Sequence, residues 1–233
     1  MRILAVGAHP DDIELLCAGT LVKMKKRGDE IFMAHLCSGD KGHYEIKPAE
    51  LTRIRKKEAE KSASIIGAEI DGGFFGDFEI FNSPDARKKV TDLIRRTRPD
   101  VIITHFPDDY MMDHSTTSRL VIDASFAATT PNYVTRYEFI PHMPLIIFMD
   151  SLAGLNFSPT EYVDISDVID IKVKMLLCHQ SQYKWLKEHD GIDYVEFMKT
   201  LASFRGQQCG VKYAEAFRTY RVWGRVVPRR VLP

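Results

Sequence analysis

The stretch Arg2-Ile3-Leu4-Ala5-Val6-Gly7-Ala8-His9-Pro10-Asp11-Asp12 decides the fold. Arg2 to Val6 is a short apolar run that reads as a strand, and it ends abruptly in a polar, acidic turn. From Ile13 to Arg27 the pattern turns helical, with Leu15, Leu16, Gly19, Leu21, Val22 and Met24 spaced for one buried face. Gly28-Asp29 closes that helix. A strand that runs through a tight turn into a helix is the opening of a parallel α/β unit.

The unit repeats outward from there. Glu30 to Leu36 reads as a second strand, and Cys37 to Gly42 as a loop. A long helix opens at Pro48-Ala49 and stops at Gly67, and a third strand runs from about Ala68 toward Phe75. Ser83-Pro84-Asp85 opens another helix that ends at Arg98-Pro99. Val101 to Thr104 is an apolar, β-branched strand, and Ser115 to Ala128 reads as helix. Pro144 to Met149 is a further buried strand and Val168 to Cys178 a helix; Tyr213 to Val227 is expected to add an edge strand. The expected fold is therefore α/β, a Rossmann-like parallel sheet with helices on both faces and a small C-terminal extension. No linker, low-complexity tract or repeat interrupts residues 1–233, so one domain is expected.

Bulk composition narrows the classes of function. Of 233 residues, 45% are hydrophobic and 27% charged, ordinary values for a globular chain. Lys plus Arg equals Asp plus Glu, so no global field steers the protein to nucleic acid or an anionic membrane. Cys17, Cys37 and Cys178 lie in apolar stretches, and with Cys209 they form no C-x-x-C pair, which fits a reducing, cytoplasmic compartment. The apolar part of the N-terminus is short for a signal peptide, and no stretch reaches the roughly 18 apolar residues of a membrane span.

Chemistry concentrates at two strand ends. His9, Asp11 and Asp12 follow the first strand, and His105-Phe106-Pro107-Asp108-Asp109-Tyr110-Met111-Met112-Asp113-His114 follows the fourth. Ligands of open parallel sheets bind at the carboxyl ends of the strands, near the point where strand order reverses. If these two strands are neighbours, His9, Asp12 and His114 supply two imidazoles and a carboxylate, a common catalytic zinc set with one position left for water. Such an ion lowers the pKa of its water to about 7. Asp11, beside the set, is then the candidate general base. Either cluster alone could be a turn with an aspartate capping the next helix. Core packing does not require two acidic turns after two apolar strands.

At this point the sequence resembles the LmbE-like, PIG-L-type N-deacetylases. Their first motif, A-H-P-D-D-x-E, is matched by Ala8-His9-Pro10-Asp11-Asp12-Ile13-Glu14, and their Asp-His second motif by Asp113-His114. Weaker matches are Arg55-Lys56-Lys57-Glu58, Phe75-Gly76-Asp77, Asp164-Ile165-Ser166, His179-Gln180-Ser181-Gln182 and Tyr213 to Phe217. The resemblance implies metal-dependent removal of an acetyl group from an N-acetylglucosamine-type sugar or its conjugate. It makes His9, Asp12 and His114 the ligands of zinc, with iron(II) or another divalent ion as alternatives, and Asp11 the base. It places Arg55 and Asp77 at the sugar and Asp113 behind the site. Higher oligomers are frequent in the family, so a homo-oligomer is compatible.

One departure matters. The family's second motif often carries a histidine three places before the ligand, where this chain has Met111. That histidine is thought to hold the oxyanion or assist the leaving amine, and a thioether does neither. Tyr110 and His179 are the candidates to replace it. The same departure keeps open an amidase on another N-acyl substrate, or a non-catalytic metal- or sugar-binding relative. Other chemistries lack support: there is no G-x-x-x-x-G-K-[ST], no G-x-G-x-x-G after the first strand and no G-x-S-x-G.

Overall fold

Ile3 to Gly7 are all buried because β1 (Arg2–Gly7) has a strand on each edge and helices over both faces. Successive side chains of a strand point to opposite faces. Ile3 and Ala5 enter one apolar cluster with Met33, Ile103 and Ile147. Leu4 and Val6 enter the other with Ala34, Ile102 and Ile146. Two cores, one on each side of the sheet, account for a strand with no polar alternation. The computed structural model describes residues 1–223, 225 and 231–233.

After β1 come α1 (Asp12–Leu16), α2 (Ala18–Lys26), β2 (Glu30–Cys37), α3 (Pro48–Ile65) and β3 (Glu69–Phe75). They are followed by α4 (Pro84–Thr97), β4 (Val101–Thr104), α5 (Met112–Ala127) and β5 (Leu145–Met149). The C-terminal part contributes β6 (Glu161–Asp164), α6 (Ile169–Leu176), α7 (Gln180–Trp185), α8 (Tyr194–Cys209) and β7 (Ala214–Thr219). The sheet order is β3-β2-β1-β4-β5-β7-β6. The first five strands are parallel, and β7 runs antiparallel to both β5 and β6. This is the expected Rossmann-like α/β sheet with a C-terminal extension. Strand order reverses between β1 and β4, where Val6 pairs with Thr104, so the two acidic turns leave adjacent strand ends.

Four details differ from the sequence reading. The helix expected over Ile13 to Arg27 is broken at Cys17 (φ −145°, ψ 4°) into α1 and α2. The buried Glu215 carboxylate accepts the Gly19 and Thr20 amides just past that break. α5 starts at Met112 rather than Ser115, which puts Asp113 and His114 in its first turn. The C-terminal strand is not at the edge: β7 lies between β5 and β6, and the expected segment runs into residues beyond Trp223 that are only partly described. α8 has no counterpart in the sequence reading; Asp193 caps it by accepting from the Val195 and Glu196 amides. Ser83 caps α4 as its sequence predicts. No helix among the described residues is long and apolar enough to cross a membrane.

Candidate active site

Asp11 sits at the corner where β1 turns into α1, with φ 118°, a left-handed value that costs a non-glycine residue energy. Such strain persists where surrounding groups hold it. The Arg55 guanidinium donates to Asp11 Oδ2 (3.0 Å) and to the Pro10 carbonyl (2.5 Å). The Tyr194 hydroxyl donates to the same Oδ2 at 2.6 Å. Burial pushes the Asp11 carboxyl up; Arg55 pulls it down, Asp12 raises it again, and the net direction is upward. A carboxyl raised in this way is suited to carry a proton between partners near neutral pH.

Beside it, the structure brings His9, Asp12 and His114 together, with one donor atom of each within 4.8 Å of the other two. Each imidazole has one nitrogen tied back to a carboxylate. His9 Nε2 is 3.1 Å from Asp113 Oδ2, and His114 Nδ1 is 3.2 Å from Asp109 Oδ2. Those contacts turn the other nitrogens toward Asp12: His9 Nδ1 stands 3.6 Å from Oδ2, and His114 Nε2 3.3 Å from Oδ1. His114 Nε2 is buried without a hydrogen bond. These two separations, to different oxygens of Asp12, are of the size that metal–donor bonds of about 2.0–2.2 Å produce, and two imidazoles with one carboxylate are a donor set that a divalent metal ion takes. Carboxylates behind ligating imidazoles are the usual support of such a site.

The electrostatics point the same way. Burial works against charge on His9, yet Asp113 and Asp12 hold its pKa up at about 10. Burial likewise opposes charge on His114, and Asp12 and Asp109 raise it to about 9. Asp12 is kept well below the usual carboxylate range, against its burial, chiefly by His114. Two imidazoles that draw protons this strongly mark a place where positive charge is favoured.

Two other groups of potential ligands among the described residues share these imidazoles: His9-Cys37-Asp77 and His105-Asp109-His114. In the first, both Asp77 oxygens already accept, from the Gly39 and Lys41 amides. In the second, His105 Nε2 accepts the Ala8 amide, and its ring stacks on His114 at 3.9 Å. Burial and His114 lower His105 to about 4, so it stays neutral. Neither Cys37 nor His105 reaches the cavity, whereas His9, Asp12 and His114 all line it.

That cavity has a volume of about 440 Å³. Arg55, Asp77, Tyr110, Met111 and Tyr194 are also in its wall. Arg55 is 3% exposed, with its guanidinium turned to Asp11, Pro10 and Gly39. Gly39 has φ 72°, and a Cβ there would lie 2.5 Å from Arg55 Nη1. Asp77 anchors the loop after β2, and Asp113 Oδ2 also accepts the Phe78 amide. Tyr110 is exposed at the rim. His179 is not in the cavity wall: it is fully buried, with Nε2 3.3 Å from Glu14 Oε1, and lies close enough to Asp11 to lower that carboxyl's pKa. Sequence reasoning gave no role to Tyr194, Asp109 or Glu14. Asp109 stood in the quoted cluster, five places before His114, and Glu14 in the first motif; for Tyr194 no local signal existed.

The profile of the family described as GlcNAc-PI de-N-acetylase (PIG-L) matches residues 4–125. A diacetylchitobiose deacetylase of Thermococcus kodakarensis is 29% identical, covering 93% of this chain and 82% of its own. A 4-oxalmesaconate hydratase of Pseudomonas putida is 24% identical over 77% of this chain and 73% of its own. Among solved structures, a conserved protein from Thermus thermophilus superposes with a TM-score of 0.80 at 29% identity, covering 97% of this chain and all of that one.

Proposed function

The chain belongs to the PIG-L family, and on that premise we propose that it is a zinc-dependent N-deacetylase of an N-acetylglucosamine-type sugar or conjugate, acting as one domain over residues 1–233. A cytoplasmic setting, with all four cysteines free, belongs to the same proposal. The observation that carries it is Asp11, clamped by Arg55 and Tyr194 on one oxygen, in the wall of the cavity that His9, Asp12 and His114 also line.

In this reading His9, Asp12 and His114 would hold the ion. When bound, it would acidify water to a pKa of about 7 and polarise the amide carbonyl. Asp11 takes a proton from the attacking water, whose oxygen bonds to the carbonyl carbon. The proton then passes from Asp11 to the amide nitrogen as the C–N bond breaks. One water is consumed, and acetate and a free amine are released. Arg55 and Tyr194 keep the Oδ2 side of the carboxylate occupied, leaving Oδ1 for the proton. Asp113 and Asp109 fix the two imidazoles. Asp77 positions the loop that forms one wall, and the Tyr110 hydroxyl is the donor for the oxyanion, the role that Met111 cannot fill. Acetate release from a panel of N-acetylated amino sugars, with zinc bound, tests this; no release from any of them would refute it.

A second reading rests on Met111. Hydration of a carbon–carbon double bond also needs an activated water and a base, but no acid for a leaving amine. The hydratase relative makes that reaction class the alternative, and water addition to an unsaturated polycarboxylate without acetate release would select it.

A further inference from the structure

Phe78, Tyr110, Leu155 and Ile192 are large apolar side chains left 40–63% exposed, and all four line the cavity that holds Asp11 and the His9-Asp12-His114 set. They come from four separate places: the turn after β3, the β4–α5 loop, the segment after β5 and the turn before α8. Single exposed apolar residues are ordinary, but convergence of four on one concavity is the mark of a binding surface. Leu186 and Phe197 continue the same apolar wall. Apart from the Tyr110 hydroxyl and Lys41, whose ammonium is paired with Asp40 and Glu79, the polar groups of the wall are buried toward the floor, where His114 is fully buried and Asp11 is 7% exposed.

The apolar mouth is built, not incidental. Ala153 (φ 57°) and Asn156 (φ 56°), neither of them glycine, hold left-handed conformations on either side of Leu155. The Ser151 hydroxyl donates to the Leu155 carbonyl and pins the turn. The side-chain NH2 of Gln182, a polar group in the wall, donates to the Gly42 carbonyl. A sugar hydroxyl pressed against Phe78 or Leu155 would lose water without gaining a partner. An amide held at the floor sets the glycosidic oxygen, on the ring carbon next to the one that bears the amide, beside the same wall, and a substituent carried there extends along that wall toward the apolar mouth. We propose that the substrate carries an apolar aglycone, lodged among Phe78, Tyr110, Leu155 and Ile192. This names the substrate class of the deacetylase site and rests on that reading.

The test compares methyl and butyl β-glycosides of N-acetylglucosamine, both monomeric in solution, by kcat/KM for acetate release. The three added methylenes should raise kcat/KM about ten-fold for the butyl glycoside, allowing for partial exposure. In Leu155→Ser and Ile192→Ser the ratio of butyl to methyl should fall toward one. Equal values for the two glycosides in the wild-type protein, or a ratio that neither substitution changes, would overturn the proposal. Calorimetric binding of the same glycosides, with zinc present, is read separately. Tighter binding of the butyl glycoside without hydrolysis of either would sink the deacetylase reading and keep the apolar subsite. Equal binding sinks the subsite whatever the turnover.

Discussion

Replacing Tyr194 by Phe removes one atom from the site and keeps the ring. The lost hydroxyl donates to Asp11 Oδ2 at 2.6 Å, and Arg55 still donates to that oxygen at 3.0 Å. A hydrogen bond to a charged group contributes roughly 1.5–3 kcal/mol. Since 1.36 kcal/mol corresponds to one pKa unit, losing it raises the Asp11 pKa by about one to two units, with Arg55 favouring the lower figure. The sign follows from which form is stabilised: the donor favours the carboxylate, so its removal favours the protonated acid, which is no base. Burial already pushes Asp11 upward, so the shift adds to an elevated value. The acid limb of kcat/KM, followed by acetate release, should move about one unit alkaline. The rate on that limb should fall about ten-fold and recover at higher pH, while KM and bound zinc stay unchanged. An acid limb in the same place in Tyr194→Phe and wild type would refute the clamp.

Other consequences are independent of that clamp. Asp113→Asn weakens the partner of His9 Nε2, and zinc affinity by competition with a chelator should drop about 10–100-fold while the fold persists. With His9 at about 10 and His114 at about 9 in the metal-free protein, both imidazoles are protonated at pH 7, and zinc needs their lone pairs. Calorimetry in buffers of different ionisation enthalpy should therefore show about two protons released per zinc, and affinity rising with pH up to the higher of those values; uptake without proton release would contradict these shifts. Gly39→Ala puts a methyl group 2.5 Å from Arg55 Nη1 at a left-handed position, so turnover should fall with zinc content intact.

Much of this was legible because it is local. An apolar run followed by His9-Pro10-Asp11-Asp12 is a strand, a turn and a helix start within a dozen residues, and β1 beside β4 follows from the topology of such sheets. That adjacency brings His114 to Asp12. What escaped the sequence depends on distant chain. Tyr194 reaches Asp11 across 183 positions, and α8 that carries it has a mixed pattern with no strong apolar stripe. The break at Cys17 is invisible locally because its stabilising carboxylate, Glu215, lies almost 200 residues away. Arg55 lines the cavity, and its guanidinium also meets Asp11 and two carbonyls, contacts that no helical periodicity encodes.

The central claim divides two tasks between neighbouring side chains: His9, Asp12 and His114 hold an ion, and Asp11 moves a proton. Zinc content and acetate release, measured together on Asp11→Asn and His114→Ala, test that division directly. The expected result is one zinc per chain and no turnover in Asp11→Asn, with neither zinc nor turnover in His114→Ala. Normal turnover in Asp11→Asn, or full zinc content in His114→Ala, would contradict it.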